Sequence, residues 1–191
     1  MRVLGIDEAG RGPVLGPFVM ACGVIEEGNE ESLRDLGVKD SKMLTLERRE
    51  EFYVQLQQMV ERFEVEVVTN EQINVYMGSG INLNNMESRV TARIINACRP
   101  EKVILDCPSR NIKAYVNDIR RRLDDPEVEI VAEYQADMHY PVVSAASIFA
   151  KVTRDREVDA IKERYGIECG SGYLTDPLTK VFLQQHFARY P

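Results

Sequence analysis

The stretch GIDEAGRGP, residues 5–13, decides how the chain is read. Residues 3–6 form a short apolar run with the look of a buried strand, and Asp7 and Glu8 follow it at once. Gly10, Arg11 and Gly12 then make a turn that exposes backbone amides and one guanidinium. Successive strand residues point to opposite faces. Asp7 and Glu8 are therefore expected to share a site only if the strand ends or bends at Glu8.

Working outward, residues 17–25 (PFVMACGVI) read as a second strand and residues 63–69 (FEVEVVT) as a third. Between them, residues 45–60 carry Phe52, Leu56, Met59 and Val60 at helical spacing, with Thr45 as N-cap. Residues 84–97 form an expected helix stopped by Pro100. Residues 102–105 (KVIL) are a strand that delivers Asp106 at its end, 111–123 an amphipathic helix and 128–132 a strand. A long helix is expected over 141–164, with a small-residue face of Ser144, Ala145, Ala146, Ser147 and Ala150 that lets another element pack close. A glycine-rich loop (167–176) leads to a last helix capped by Asp176, with Pro177 at its first position. The expected fold is α/β: a strand meander, then strands alternating with helices around one mixed sheet.

A chain of 191 residues with 44% hydrophobic and 29% charged residues fits one domain with its own core. The net charge of −7 argues against a nonspecific nucleic-acid binder, but leaves room for a local basic face. Cys22, Cys98, Cys107 and Cys169 form no C-x-x-C pair and have no histidine at zinc spacing, so they read as small apolar fillers in a reducing compartment. The apolar opening is too short for a signal peptide, and no stretch approaches the roughly 20 apolar residues of a membrane helix. A cytoplasmic protein is expected. With no large apolar stripe left over, it is expected to be a monomer.

Asp106 sits where ligand crevices of open α/β sheets lie, outside strand carboxyl ends. Asp137, in YQADMHYP, can reach the same edge from the loop before the long helix. Neither these two nor Asp7 and Glu8 adjoin a Lys or Arg in sequence. Four carboxylates converging without cationic partners need protons or a cation. An all-oxygen set suits Mg²⁺ or Mn²⁺. Two such ions would suit phosphodiester hydrolysis.

Rival readings of the turn are weaker. Gly5 and Gly10 have phosphate-loop spacing, but Arg11 and Gly12 stand where Lys and Ser/Thr are required, and two acids would repel phosphates. Gly10-x-Gly12 is a partial dinucleotide fingerprint whose third glycine, Gly16, falls one place too far. A glycine turn can instead offer backbone groups to a ribose 2′-hydroxyl, both donor and acceptor. No histidine or lysine is spaced to activate a serine in the Ser144–Ala150 run, which reads as packing. Lys39, Lys42, Lys151, Arg154, Arg156 and Lys180 are candidates for a basic rim. His139 could shuttle protons near Asp137, and His186 reads as structural.

DEAGRGP, DSK at 40–42, Asp106 at a strand end, ADMHYPVVSAASIFAKVTRD at 136–155 and GSGYLTDP at 170–177 together resemble the type 2 ribonucleases H (ribonuclease HII), most closely the archaeal single-chain enzymes. The resemblance spans nearly the whole chain. It implies a ribonuclease H-like fold with a five-stranded mixed sheet flanked by helices, plus a C-terminal helical extension. Residues 1–164 would be the catalytic domain and 165–191 a loop and helix packed on it. It implies endonucleolytic cleavage of the RNA strand of RNA–DNA hybrids and incision 5′ of ribonucleotides embedded in duplex DNA. Asp7, Glu8, Asp106 and Asp137 match the family's metal-binding acids, with two Mg²⁺ or Mn²⁺ ions in the substrate complex. Gly10, Arg11 and Gly12 match the turn that reads the 2′-hydroxyl. Tyr173 matches the tyrosine on the following sugar, and Ser41 and Lys42 match a segment near a backbone phosphate. LTDP replaces the commoner PSDP and DSKML the usual DSKKL. Many archaeal members continue further and some end in a sliding-clamp-binding motif. None is found up to Pro191, so the resemblance does not imply a clamp partner for this sequence. A nucleotide-cofactor enzyme built on Gly5–Gly16 and a noncatalytic module holding a structural cation remain the alternatives.

Overall fold

The computed structural model describes residues 1–38 and 44–187. Five strands form one mixed sheet in the order β3-β2-β1-β4-β5. The first three make the expected antiparallel meander: β1 (Arg2–Ala9), β2 (Phe18–Glu26) and β3 (Arg62–Val68). β4 (Lys102–Asp106) and β5 (Glu129–Glu133) add on parallel to β1, so the carboxyl ends of β1, β4 and β5 share one edge.

Helices cover both faces. On one face α6 (Pro141–Tyr165) lies across β1 and β2, joined by α1 (Glu30–Leu36) and α2 (Leu46–Met59). Val3, Ala9, Val19 and Ala21 pack there with Ala145, Ile148, Phe149 and Leu56. On the other face α4 (Leu83–Cys98) and α5 (Ile112–Arg120) cover Leu4, Ile6, Met20 and Leu105 through Met86, Val90, Ile95 and Ile119. α3 (Asn70–Gly78) connects β3 to α4, and α7 (Pro177–His186) closes the described chain as the C-terminal helical element.

The small-residue face of α6 is buried as expected, and β1 answers it with a glycine. A Cβ on Gly5 would stand 2.5 Å from the carbonyl carbon of Val142, so only glycine lets the start of α6 sit directly on the strand that carries Asp7. All four cysteines are free and buried; the Sγ atoms of Cys22 and Cys98 lie 3.8 Å apart. No helix among the described residues is long and apolar enough to cross a membrane.

Sequence reading missed α1 and α3. Both carried signals. Thr69 and Gln72 form a reciprocal capping box at the start of α3, and Gly37 ends α1 in the left-handed conformation.

Candidate active site

The shared strand edge places the carboxylates. Ile6 of β1 stands beside Leu105 of β4, so Asp7 and Asp106 are the next residues of two neighbouring parallel strands. Asp106 Oδ1 accepts from the Ala136 N–H at 3.0 Å. That bond fixes a short 3-10 turn, Ala136–Met138, and with it the buried Asp137 beside the end of β4. The Ser144 hydroxyl, in the first turn of α6, donates to the Asp137 carbonyl. His139, next along, is exposed.

The expected bend at Glu8 is absent. β1 remains paired with β2 through Glu8↔Met20 and Ala9↔Val19. β2 supplies a ladder partner for every residue up to Ala9, and breaking the pleat earlier would forfeit those bonds. The chain leaves the sheet only at Gly10, whose φ of +91° and whose closeness to the Pro17 carbonyl both exclude a side chain. Asp7 therefore faces α6 with Val3 and Ala9, and Glu8 faces α4 with Leu4 and Ile6. The two acids straddle the strand end.

They still share one electrostatic neighbourhood. Burial pushes the Asp7 carboxyl up to about 7; a hydrogen bond from Ser147 and the charge of Lys151 pull it down, while Asp106 pushes it up. Burial also raises Glu8 well above the carboxylate range, followed by repulsion from Asp7, Glu87 and Asp106, with Arg11 opposing. So the acids do have cationic neighbours, brought by the fold and not by adjacency in sequence. Lys151 Nζ donates to Ser147 Oγ at 2.5 Å, which corrects the expectation that no lysine reaches a serine of that run. Ser147 is fully buried and is committed to Asp7 and Lys151, so it serves as a support for Asp7.

Among the described residues, no three His, Cys, Asp or Glu side chains are already drawn tightly enough together to enclose an ion. The donor chemistry nonetheless fits a hard divalent cation. The set is all oxygen, and burial and mutual repulsion hold Asp7 and Glu8 in a state that a proton or a cation relieves. Asp7, Glu8, Asp106 and Asp137 are the residues that could hold it.

The glycine turn is tied to the C-terminal loop. The Val14 N–H donates to the Gly172 carbonyl at 2.9 Å. Arg154, expected on a basic rim, is instead 2% exposed. Its Nη2 donates to the carbonyls of Leu15 (3.1 Å) and Ser171 (3.0 Å), and its guanidinium lies 4.6 Å from the centre of the Tyr173 ring. Its aliphatic stem also backs Gly10. Arg154 thus fixes Tyr173 relative to the turn at Gly10–Gly12. Its place on the core-facing stripe Ser147, Ala150, Arg154, Val158 was the missed signal. Arg156, by contrast, is on the surface and pairs with Glu50. Glu87, another residue missed, is fully buried on α4 against Arg11. Ser41 and Lys42 lie outside the described residues.

Comparisons with known proteins place the chain in a family. The Ribonuclease HII family model matches residues 4–190. The chain belongs to the ribonuclease HII family. The Ribonuclease HII of Pyrococcus horikoshii is 43% identical over 192 residues, covering 100% of this chain and 85% of that protein. The crystal structure of the ribonuclease H2 from Pyrococcus horikoshii OT3 superposes with a TM-score of 0.90 at 42% identity, covering 100% of this chain and 89% of that one. A ribonuclease HII from Archaeoglobus fulgidus, solved in a complex with PCNA, gives 0.91 at 38% identity, covering 100% and 92%. The five-stranded sheet with its helices is the ribonuclease H-like fold. The protein is a ribonuclease H, a hydrolase of a metal-dependent family.

Proposed function

We propose that this ribonuclease HII-family protein cleaves the RNA strand of RNA–DNA hybrids and incises duplex DNA on the 5′ side of an embedded ribonucleotide, leaving a 3′-hydroxyl and a 5′-phosphate. The observation that carries the reading is the junction at the end of β1: a carboxylate pair coupled to Asp106, followed directly by a glycine turn that Arg154 ties to Tyr173. Asp7, Glu8, Asp106 and Asp137 would hold Mg²⁺ or Mn²⁺, two ions in the substrate complex, and such ions would supply the positive charge that favours ionisation of the attacking water and offsets the charge on the leaving oxygen. The chain's own residues do the rest. Ser147 and Lys151 keep Asp7 able to give up its proton. The backbone of Gly10–Gly12 meets the 2′-hydroxyl, Tyr173 packs on the next sugar, and Ser41 and Lys42 lie near a backbone phosphate. Residues 1–164 act as the catalytic domain, and 165–191 contribute the substrate-contacting loop and helix.

The test is incision of a duplex carrying one ribonucleotide, with Mg²⁺ or Mn²⁺, against an all-DNA duplex of the same sequence. Cleavage at the ribonucleotide alone, abolished by chelator, is the expected result. Equal cutting of both duplexes would overturn the reading of the turn, and undiminished cutting in chelator would overturn the role of the carboxylates.

A further inference from the structure

Arg11 points away from the open side of its turn. Its Nη2 donates to Asn84 Oδ1 at 2.6 Å, and its Nε lies 3.4 Å from Glu87 Oε1. Asn84 and Glu87 are three residues apart near the start of α4, hence on one helix face. Glu87 is 0% exposed, its carboxylate oxygens make no hydrogen bond, and Arg11 is the cation that offsets its charge. A buried carboxylate left without a cation is costly. If Arg11 swung outward to grip a phosphate, it would strand Glu87. The Arg11 side chain is only 32% exposed, which fits an inward commitment. Gly12, on the other side of Arg11, has nothing within 4 Å of where a Cβ would stand. The turn is therefore fastened on its inner side and open on its outer side.

We infer that Asn84 and Glu87 are positioning residues that hold Arg11 inward, so that the turn presents its backbone and not its guanidinium to the substrate, and that this fastening sets the preference for a ribonucleotide. The inference rests on the function proposed above. It explains why a turn that reads a small hydroxyl carries a long cation at its centre: the cation is an anchor.

Two kinds of measurement test it. In the metal-free protein, NMR order parameters of the Gly10 and Gly12 amides report the fastening whatever the reaction is. Glu87→Gln should lower them from the rigid range, about 0.85, toward the flexible range below about 0.6. On the single-ribonucleotide duplex, Glu87→Gln and the milder Asn84→Ala should each lower kcat at least tenfold with KM changed less than twofold. The ratio of ribonucleotide to all-DNA cutting should fall with kcat. Arg11→Ala should leave the slope of log KM against log salt unchanged, whereas a lost phosphate contact would reduce it by about 0.9. Wild-type order parameters in both Glu87→Gln and Asn84→Ala, wild-type kcat and ratio in both, or a reduced salt slope in Arg11→Ala would each overturn the inference. If the wild-type enzyme itself cuts both duplexes alike, the functional reading fails instead, and the fastening is then judged by the order parameters and the salt slope. Asn84 is only half-buried, so its variant keeps the test open if Glu87→Gln does not fold.

Discussion

On the α6 face of β1, Asp7 accepts from Ser147, which Lys151 supports in turn; on the α4 face, one residue along, Glu8 has Arg11 as its cation and shares it with Glu87. The strand is the same, yet Asp7 is buried and Glu8 half-buried, and their partners differ. The α6 face supplies a hydroxyl and an ammonium to one acid and leaves its carboxyl near 7; the α4 face divides one guanidinium between two acids, and burial together with repulsion from Asp7, Glu87 and Asp106 raises Glu8 well above its ordinary value. A regular strand end can thus place two acids at one edge and still give each its own environment. The break of the pleat at Glu8 is absent, so the alternation that separates the side chains also separates their partners, and what the two acids share is the strand edge and the repulsion between them.

The hardest blow to the comparison is removal of the α6-side acid. Asp7→Asn should lower incision of the single-ribonucleotide duplex by on the order of 10³-fold, as loss of a group acting on the reacting phosphate does. The metal-free variant should be at least as stable as the wild type in thermal unfolding, since a buried, repelled carboxyl has become neutral. Near-wild-type cleavage would remove Asp7 from the chemistry.

The next test concerns why α6 can reach Asp7 at all. Gly5→Ala puts a methyl 2.5 Å from the Val142 carbonyl carbon and oxygen, against backbone that cannot rotate away. Overpacking of this kind costs about 1–3 kcal/mol, read in urea unfolding, and should also lower kcat by shifting Ser147. Gly12→Ala, in open space, should stay within about 0.5 kcal/mol of wild type. Equal losses would mean that the α6 contact is not what fixes this edge.

These two glycines also show what the sequence could tell. The opening meander, the long helix and the edge bearing Asp7 and Asp106 were legible, because periodicity, glycine turns and small-residue faces are local signals. The shape of β1 at Glu8 was not. Whether a strand continues depends on the length of its neighbour, and β2 pairs as far as Val19. Arg154 and Glu87 were misjudged or missed for a related reason. A charge on a helix reads as surface unless its position on the buried stripe outweighs its chemistry. Met86, Glu87, Val90 and Ile94 form such a stripe on α4, and the partner that makes a buried Glu tolerable, Arg11, is 76 positions away in the chain. Lys151 near Asp7 is hidden in the same way.

A smaller effect separates proton from metal. Asp7 and Glu87 both sit near 7, above the ordinary carboxylate values of 3.8 and 4.5. A folded-state pKa raised above the unfolded one means that the native state binds the proton more tightly. That stability is fully present below about pH 4 and is lost as pH rises through about 7. Thermal unfolding in chelator should therefore show a falling Tm between pH 5 and 8. Excess Mg²⁺ should offset the fall by replacing the proton at Asp7. A Tm that is flat in chelator, or unmoved by Mg²⁺ at pH 8, would separate the acids from any shared cation.

The finest probe is Lys151→Met, which touches one face only. The lysine charge lowers the Asp7 carboxyl's proton affinity, so its loss should raise that affinity. At subsaturating Mg²⁺, where proton and metal compete for Asp7, the acid limb of the pH–rate profile should move to higher pH. Activity well above that limb should fall by less than about tenfold, since a supporting charge is lost and the acid remains. The salt slope should change little if Lys151 is spent on Ser147, and by about 0.9 if it also holds a phosphate. A limb that does not move would show that Ser147 alone governs Asp7, and the difference between the two faces would then lie in one hydroxyl and not in a second cation.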